Sequence, residues 1–374
     1  MKARRLTSLC VVVVLTHACA GVAVEAQSPP FDGQAGVSFE SYSFGSSNAT
    51  GVEGITLFAV PLTVRARLSE HFEARASSFY ARAALSRNDG SKSTLAGLTD
   101  TEVRLTYAVP GDRLRISAIA LAPTGRTELT SEEMDVAGVI AADVLPFAIT
   151  DWGSGGGTGA SAAAALPLDE ASVFGVSASY LVALEFEPVA ATGFAYRPGN
   201  QVHVRAAIDR TFGLAGKASL QLTWQHFAAD VSAGSNIYQA GDRLQALASY
   251  AFAAGTRAGG IVYAGYLRRG EGRYTEIVEL TPAQDLIYGG TAFRIPAGGV
   301  VLTPSLDARL IGRDNGTDEG YSITIGSGIE LPLSSALLVP TARARFGRLA
   351  VRPDAESGFI GLDVGVAVAT RTPR

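Results

Sequence analysis

Hydrophobic and polar residues alternate along most of this chain, a pattern typical of β-strands whose two faces meet different surroundings. Between residues 217 and 227 the faces separate into Ala218, Leu220, Leu222 and Trp224 on one side and Ser219, Gln221, Thr223 and Gln225 on the other. Residues 321–331 and 358–369 repeat the pattern. One face of each strand is therefore predicted to contact an apolar phase and the other face water.

The same alternation predicts sixteen strands. They are 34–44, 55–68, 71–85, 101–109, 113–122, 158–167, 171–184, 200–212, 217–227, 239–253, 256–268, 286–296, 299–312, 320–332, 335–347 and 357–369. Seven connections are tight, and each joins an even-numbered strand to the next: 69–70, 110–112, 169–170, 213–216, 254–255, 297–298 and 334. The other eight are longer.

An even number of long antiparallel strands with short turns on one side is typical of transmembrane barrels, whereas strands of soluble sheets average about five or six residues. A soluble sandwich or solenoid would share the alternation but not the strand length or the alternating connections. The prediction is an all-β fold, a closed antiparallel transmembrane β-barrel of about 16 strands, with roughly 14 to 18 compatible with the soft strand boundaries.

The first residues predict a secretory leader. Lys2, Arg4 and Arg5 precede an apolar run over 10–15, and small residues follow before Gln27. We therefore predict a signal peptide over 1–26 and a single barrel domain over 27–374, located in the bacterial outer membrane with both termini in the periplasm. Both cysteines, Cys10 and Cys19, fall in the leader, which excludes disulfides and cysteine metal sites from the predicted mature chain.

Charge and hydropathy exclude other classes. The net charge is −4, and a nucleic-acid surface is usually basic, so no nucleic-acid partner is predicted. After the leader, no run of about 18 apolar residues exists to form a spanning helix. No metal or cofactor site is predicted.

One long connection, residues 123–158, interrupts the alternation. Thr130 or Ser131 followed by Glu132 and Glu133 is a helix start, because a hydroxyl caps free amides and acids favour the positive helix end. A short helix is predicted over 131–144. Two hypotheses follow: the loop folds inward and narrows the barrel, or it lies on the surface.

Many arginines fall on the polar face of the predicted strands. We assign this face to the lumen, because at the midplane an arginine facing lipid would cost about 2–4 kcal/mol. The residues are Arg65, Arg67, Arg75, Arg104, Arg115, Arg205, Arg243, Arg309, Arg343 and Arg345. The loop carries the acidic residues Glu128, Glu132, Glu133, Asp135 and Asp143. An acidic loop facing a basic wall would make a constriction that selects solutes by charge and size. The alternative is that salt bridges along the wall stiffen a wide barrel.

The leader, the strand number, the long third outer loop and the arginines before it resemble the sixteen-stranded general porins of bacterial outer membranes. The resemblance implies passive diffusion of small polar solutes, often through a homotrimer, and contact with outer-membrane lipid and the barrel-assembly machinery. Porins usually end in an aromatic residue that this machinery reads, whereas this chain ends Val368-Ala-Thr-Arg-Thr-Pro-Arg374. The apolar segment 136–147 is also unusual for a water-filled pore.

That apolar segment supports a second hypothesis, a substrate channel for hydrophobic molecules similar to the fatty-acid and aromatic-hydrocarbon transporters. Those barrels carry an N-terminal plug, for which residues 27–33 are too short. A third hypothesis is a non-conducting structural or enzymatic barrel. The histidines His71, His203 and His226 lie on separate predicted strands without a nucleophile elbow, so no enzyme is predicted.

Overall fold

The computed structural model describes residues 31–45, 51–141, 145–189, 193–213, 216–255, 258–275, 280–313, 320–334, 336–352 and 355–370. The predicted leader, residues 1–26, lies outside them. The elements are β1 Phe31–Phe44, β2 Val52–Arg67, β3 Phe72–Arg87, β4 Lys92–Leu98, β5 Thr101–Ala108, β6 Leu114–Ala122, α1 Ser131–Ile140, β7 Gly157–Pro167, β8 Ser172–Ala183, β9 Tyr196–Arg197, β10 Gln201–Phe212, β11 Gly216–Phe227, β12 Asp230–Ser232, β13 Ser235–Gln239, β14 Arg243–Ala254, β15 Ala258–Arg269, β16 Gly272–Tyr274, β17 Leu280–Thr281, β18 Gln284–Ala297, β19 Val300–Leu302, β20 Ser305–Arg313, β21 Gly320–Pro332, β22 Ala336–Arg352 and β23 Ala355–Thr370.

The long strands close into one antiparallel barrel of sixteen strands, as predicted. Each barrel strand pairs with its neighbours in the chain, and β1 closes the ring by pairing with both β2 and β23. The first and last barrel strands are thereby paired with each other, which a barrel in lipid requires because unpaired backbone groups there have no water to bind.

Two barrel strands are interrupted. β4 and β5 both pair with β3, and β19 and β20 both pair with β18. Between β19 and β20 stands Pro304, which has no N–H to donate to the ladder. Between β4 and β5, the Thr99 hydroxyl accepts a hydrogen bond from the Phe79 N–H at 3.0 Å, so a side chain replaces a ladder contact.

Several predicted boundaries were wrong at the end of the long connections. β3 extends to Arg87, and β4, which pairs with it, was not predicted. β22 continues past the predicted 347 to Arg352, and β23 begins at Ala355, before the predicted 357. The β3–β4 and β22–β23 connections are therefore short. Five short strands, β9, β12, β13, β16 and β17, form a second sheet there that was not predicted. Alternation weakens in these regions because strands beyond the apolar belt no longer have one face in lipid.

The outer face of the barrel is apolar. Along its strands, Leu222, Ile287, Ile325 and Leu310 are each about half exposed, although they are large and hydrophobic. Aromatic side chains stand near both ends of this face, as in the interfacial girdles of membrane barrels: Phe72, Tyr107, Phe212 and Tyr250 towards the short turns, and Tyr180 and Trp224 towards the long connections. Phe227, in contrast, shares the inner face with Thr223 and lies against Arg243.

One helix lies among the described residues, in the connection between β6 and β7. Thr130 is its N-cap, and Thr130 and Glu133 form the reciprocal capping pair that the sequence indicates. The helix begins at Ser131 as predicted and ends at Ile140; residues 142–144 are outside the described part of the chain. No helix in the described ranges is long and apolar enough to cross a membrane.

Candidate functional site

The described part of the connection between β6 and β7, residues 123–141 and 145–156 and here called the lumenal loop, lies inside the barrel. Val136, Ile140 and Trp152 of the loop are almost fully buried in one cluster with wall residues that are themselves fully buried: Ile55, Leu57, Leu85 and Leu95. Ile55 and Leu57 alternate along β2 with the exposed outer-face residue Phe58. The loop therefore covers the inner wall formed by β1–β4, and the surface-loop hypothesis is wrong.

This contact explains the apolar segment of the loop. Val139, Leu145, Phe147 and Ile149 belong to the same cluster, and the Phe147 ring packs edge-on against the inner-face ring of Tyr42 at 5.2 Å between centroids. These side chains are covered by the wall instead of lining a passage. The apolar residues thus hold the loop in place.

The carboxylate of Asp100 fastens both ends of the loop. It lies at the break between β4 and β5, accepting from the Gly125 N–H at 3.0 Å where the loop leaves the barrel wall. It also accepts from the Ser154 N–H at 2.7 Å and the Ser154 hydroxyl at 2.9 Å where the chain returns. The two chain segments at the base of the loop approach closely, since a Cβ on Gly125 would stand 2.0 Å from the Trp152 carbonyl oxygen. Sequence analysis missed Asp100.

A second carboxylate, Glu40 on the inner face of β1, holds the middle of the loop. Its Oε1 accepts from the Ala148 N–H at 3.1 Å, and its Oε2 accepts from Arg345 at 3.2 Å. Arg345 also donates to Asp363 at 3.1 Å and to the Tyr42 hydroxyl. All four side chains are buried under the loop. Arg345, predicted as a lumen residue, is on the inner face but is taken up by this network, as is its neighbour Arg343, 3.5 Å from Asp363.

The described acidic residues of the loop have mostly local roles. Glu133 accepts from the Thr130 N–H at 3.0 Å and from Arg126 at 2.6 and 3.0 Å. Asp135 pairs at 2.6 Å with Arg87, at the long-connection end of β3. Glu128 and Glu132 are exposed. Asp143 lies outside the described residues.

Acid should loosen the first turn of α1. Burial raises the pKa of Glu133, but the Thr130 N–H and Arg126 outweigh it, so the pKa lies below the ordinary 4.5. The stabilisation is complete above pH 4.5 and is lost as the pH falls through the depressed pKa. Hydrogen exchange of residues 131–140 should therefore accelerate at acid pH in the wild-type protein relative to Glu133→Gln at the same pH. An equal pH dependence in both proteins would contradict this role.

The eight other predicted basic residues fall into two groups. Arg65, Arg75 and Arg104 stand directly opposite one another on β2, β3 and β5, with Arg67 and Arg115 on the same inner face. All five lie within four residues of the short-turn ends of their strands. Arg309, which bonds to Asp307 at 3.3 Å, and Arg205 and Arg243 lie on the inner face of the opposite half of the barrel.

The basic residues of the wall and the acidic residues of the loop, which were predicted to face each other, therefore lie at different positions. The loop covers the wall that carries Arg65, Arg75 and Arg104, and the described loop carboxylates that form ion pairs do so with Arg87 and Arg126. These three arginines are near the short turns, whereas Asp135 is near the long connections. The described geometry brings these sets to different heights of one wall.

The wall opposite the loop is polar. Gln245 donates to the Tyr288 hydroxyl at 2.7 Å, and the Tyr263 hydroxyl donates to Asp307 at 2.7 Å. Each tyrosine ring lies over a glycine on the neighbouring strand: a Cβ on Gly265 would stand 2.2 Å from the ring of Tyr288, and one on Gly290 would stand 2.6 Å from the Tyr263 hydroxyl. The two rings bridge strands across the lumen face.

Gly265→Ala should consequently destabilise the barrel by about 1–3 kcal/mol, because the added methyl forces the Tyr288 ring out of its position. Gly175→Ala is the matched control, since its Cβ would meet nothing closer than 3.8 Å. Urea unfolding in lipid vesicles measures both changes. Equal losses of stability in the two variants would show that the ring contact contributes nothing.

His71, His203 and His226, the histidines within the described ranges, form no common centre. His203 bonds to Gln201 at 3.2 Å on β10, and His226 bonds to Asp242 at 2.8 Å near the long connections. In the described ranges, no group of three or more His, Cys, Asp or Glu residues could hold a metal ion.

Taken together, the fold and the site define a sixteen-stranded β-barrel with one connection folded onto its inner wall. Comparison with solved structures agrees with this class. OprB of Pseudomonas putida matches with a TM-score of 0.53 at 8% identity, over 90% of this chain and 94% of that chain. The outer membrane channel DcaP of Acinetobacter baumannii matches with a TM-score of 0.43 at 10% identity, over 90% and 96%. A mutant of the Rh. blastica porin matches with a TM-score of 0.43 at 12% identity, over 91% and 99%.

The resemblance to the sixteen-stranded porins is thus confirmed at the level of the fold. No family model matches the chain, and no curated protein matches it. At 8% identity the likeness is one of architecture, so the function has to be argued from the chain's own residues.

Proposed function

We propose that the protein is an outer-membrane channel through which small polar solutes diffuse passively, with the lumenal loop narrowing the passage from one side. One observation supports this most strongly. On β2 and β3, the inner-face residues under the loop are fully buried, whereas the inner-face residues Arg65, Arg67 and Arg75 are exposed. Exposed arginine on an inner face requires water.

The rest of the proposal follows from the barrel. An apolar outer face with aromatic residues at both ends suits lipid, and an even number of strands brings both termini to the short-turn side, which is the periplasmic side in such barrels. A homotrimer, assembly by the barrel-assembly machinery and removal of residues 1–26 stay predictions. The hydrophobic-substrate hypothesis loses its support, because the apolar loop residues are buried against the wall.

The test is the conductance of the refolded protein in planar bilayers, together with swelling of liposomes in sugars of increasing size. Stepwise conductance in KCl and swelling that declines with solute size are expected. A correctly folded barrel that gives neither would refute the proposal, and saturable binding of a hydrophobic ligand without conductance would favour the alternative channel.

A further inference from the structure

We propose that Arg65, Arg75 and Arg104, here called the arginine row, form a binding site for small anions with several oxygen atoms, such as phosphates and dicarboxylates. This inference rests on the proposed channel function and names the class of solute that the lumen favours.

The arginine row is an arrangement that stability alone does not favour. Arg65 stands directly opposite Arg75, and Arg75 directly opposite Arg104, on three adjacent strands. Neighbouring strands are about 4.8 Å apart, and like charges in directly opposed positions destabilise a sheet. Three guanidinium groups therefore face the same small region of the lumen.

Carboxylates compensate only the flanks of the row. Glu73 pairs with Arg65 at 2.5 Å, and Glu102 pairs with Arg104 at 3.2 Å. Arg75, in the middle, forms no ion pair with any residue in the described ranges. Arg67 and Arg115 add two more positive charges on the same face, and Asp32 occupies the register position opposite Arg65 on β1, so among the described strands five arginines stand against three carboxylates.

The row is also accessible. The Arg65 side chain is 45% exposed and that of Arg104 is 36% exposed, and Arg75 is exposed as well. The described loop carboxylates do not neutralise the row, because those that form ion pairs do so with Arg87 and Arg126. A solute that enters the lumen thus meets this basic surface near the short-turn end.

The chemistry of guanidinium sets the class of ligand. Its planar fork of N–H groups matches two oxygen atoms of a carboxylate or phosphate, and such charge-assisted hydrogen bonds are stronger than neutral ones. Adjacent forks can hold an anion that presents oxygens in several directions. Water in the lumen weakens the contact, which suits a passage, because a solute must leave as well as bind.

The experiment measures chloride current through the refolded protein in planar bilayers while inorganic phosphate is added at constant ionic strength. We expect an anion-selective current that phosphate reduces saturably. Arg75→Gln should weaken this block about tenfold, the effect of losing one charge-assisted hydrogen bond. Arg75→Lys, which keeps the charge but loses the fork, should keep the anion selectivity and bind phosphate more weakly than the wild type.

Arg82→Gln is the matched control, because Arg82 lies on the same strand but on the outer face, opposite Phe58. Its current and phosphate block should equal those of the wild-type protein. A block that Arg75→Gln leaves unchanged, or that Arg82→Gln weakens equally, would overturn the anion site. Wild-type current without any phosphate effect would overturn the site alone, whereas absence of current would refute the channel itself.

Discussion

Replacing Ile140 by Asp should release the lumenal loop from the inner wall and raise the unitary conductance. Ile140 is fully buried between the helix and the wall residues of β2–β4. An unpaired carboxylate buried there costs about 3–5 kcal/mol, which shifts a two-state equilibrium roughly a thousandfold towards the released loop. Because the loop then leaves the cross-section, conductance should rise on the order of twofold.

Met134→Asp provides the matched comparison. Met134 belongs to the same helix but is 40% exposed, so the same substitution there disturbs no buried contact. Its conductance should equal that of the wild-type protein. Limited proteolysis gives a second readout, with cleavage of the loop expected in the Ile140 variant only. Unchanged conductance and unchanged cleavage in that variant would mean that the apolar contact does not hold the loop.

Replacing Arg345 by Met should destabilise the whole barrel by about 3–5 kcal/mol, because it leaves buried charges without a partner. Arg345 holds Glu40 and Asp363 in one network that joins β1, β22 and β23. These strands close the ring, so the loss falls on the seam between the first and the last strand. Urea unfolding in lipid vesicles, followed by tryptophan fluorescence, measures the effect.

The same strand supplies the control. Arg348 pairs with Glu356 at 2.8 Å, but its side chain is 57% exposed. Such exposed pairs contribute about 0–1 kcal/mol, so Arg348→Met should unfold at nearly the wild-type urea concentration. Equal losses of stability in the two variants would show that the buried network contributes no more than an exposed ion pair.

The strands could be predicted because lipid and water impose opposite requirements on neighbouring side chains. The position of the loop against the inner wall also has a signal in the sequence. In β2, residues 57–60 are apolar on both faces, with Leu57 and Ala59 inward and Phe58 and Val60 outward. An inward apolar face needs an apolar cover, and the segment 136–147 was the available one.

The contacts of the buried network could not be predicted from the sequence, for a different reason. Glu40 and Arg345 are separated by 305 positions in the chain, and their contact depends on how the ring closes. Asp100 meets Ser154 only because the loop turns back to the wall. The height on the wall of Arg65, Arg67, Arg75, Arg104 and Arg115, in contrast, could be predicted, since all five lie towards predicted tight turns. That reading would have separated them from the acidic residues of the loop.

The central claim is that alternate residues of one strand face an aqueous lumen and lipid. Neither cysteine lies beyond residue 19, so single cysteines can be placed at Gln221 and Leu222 of β11 in an otherwise thiol-free barrel. A charged, water-soluble thiol reagent added during bilayer recording should alter the current of Gln221→Cys and leave that of Leu222→Cys unchanged. Equal modification of both variants, or modification of Leu222→Cys alone, would contradict the claim.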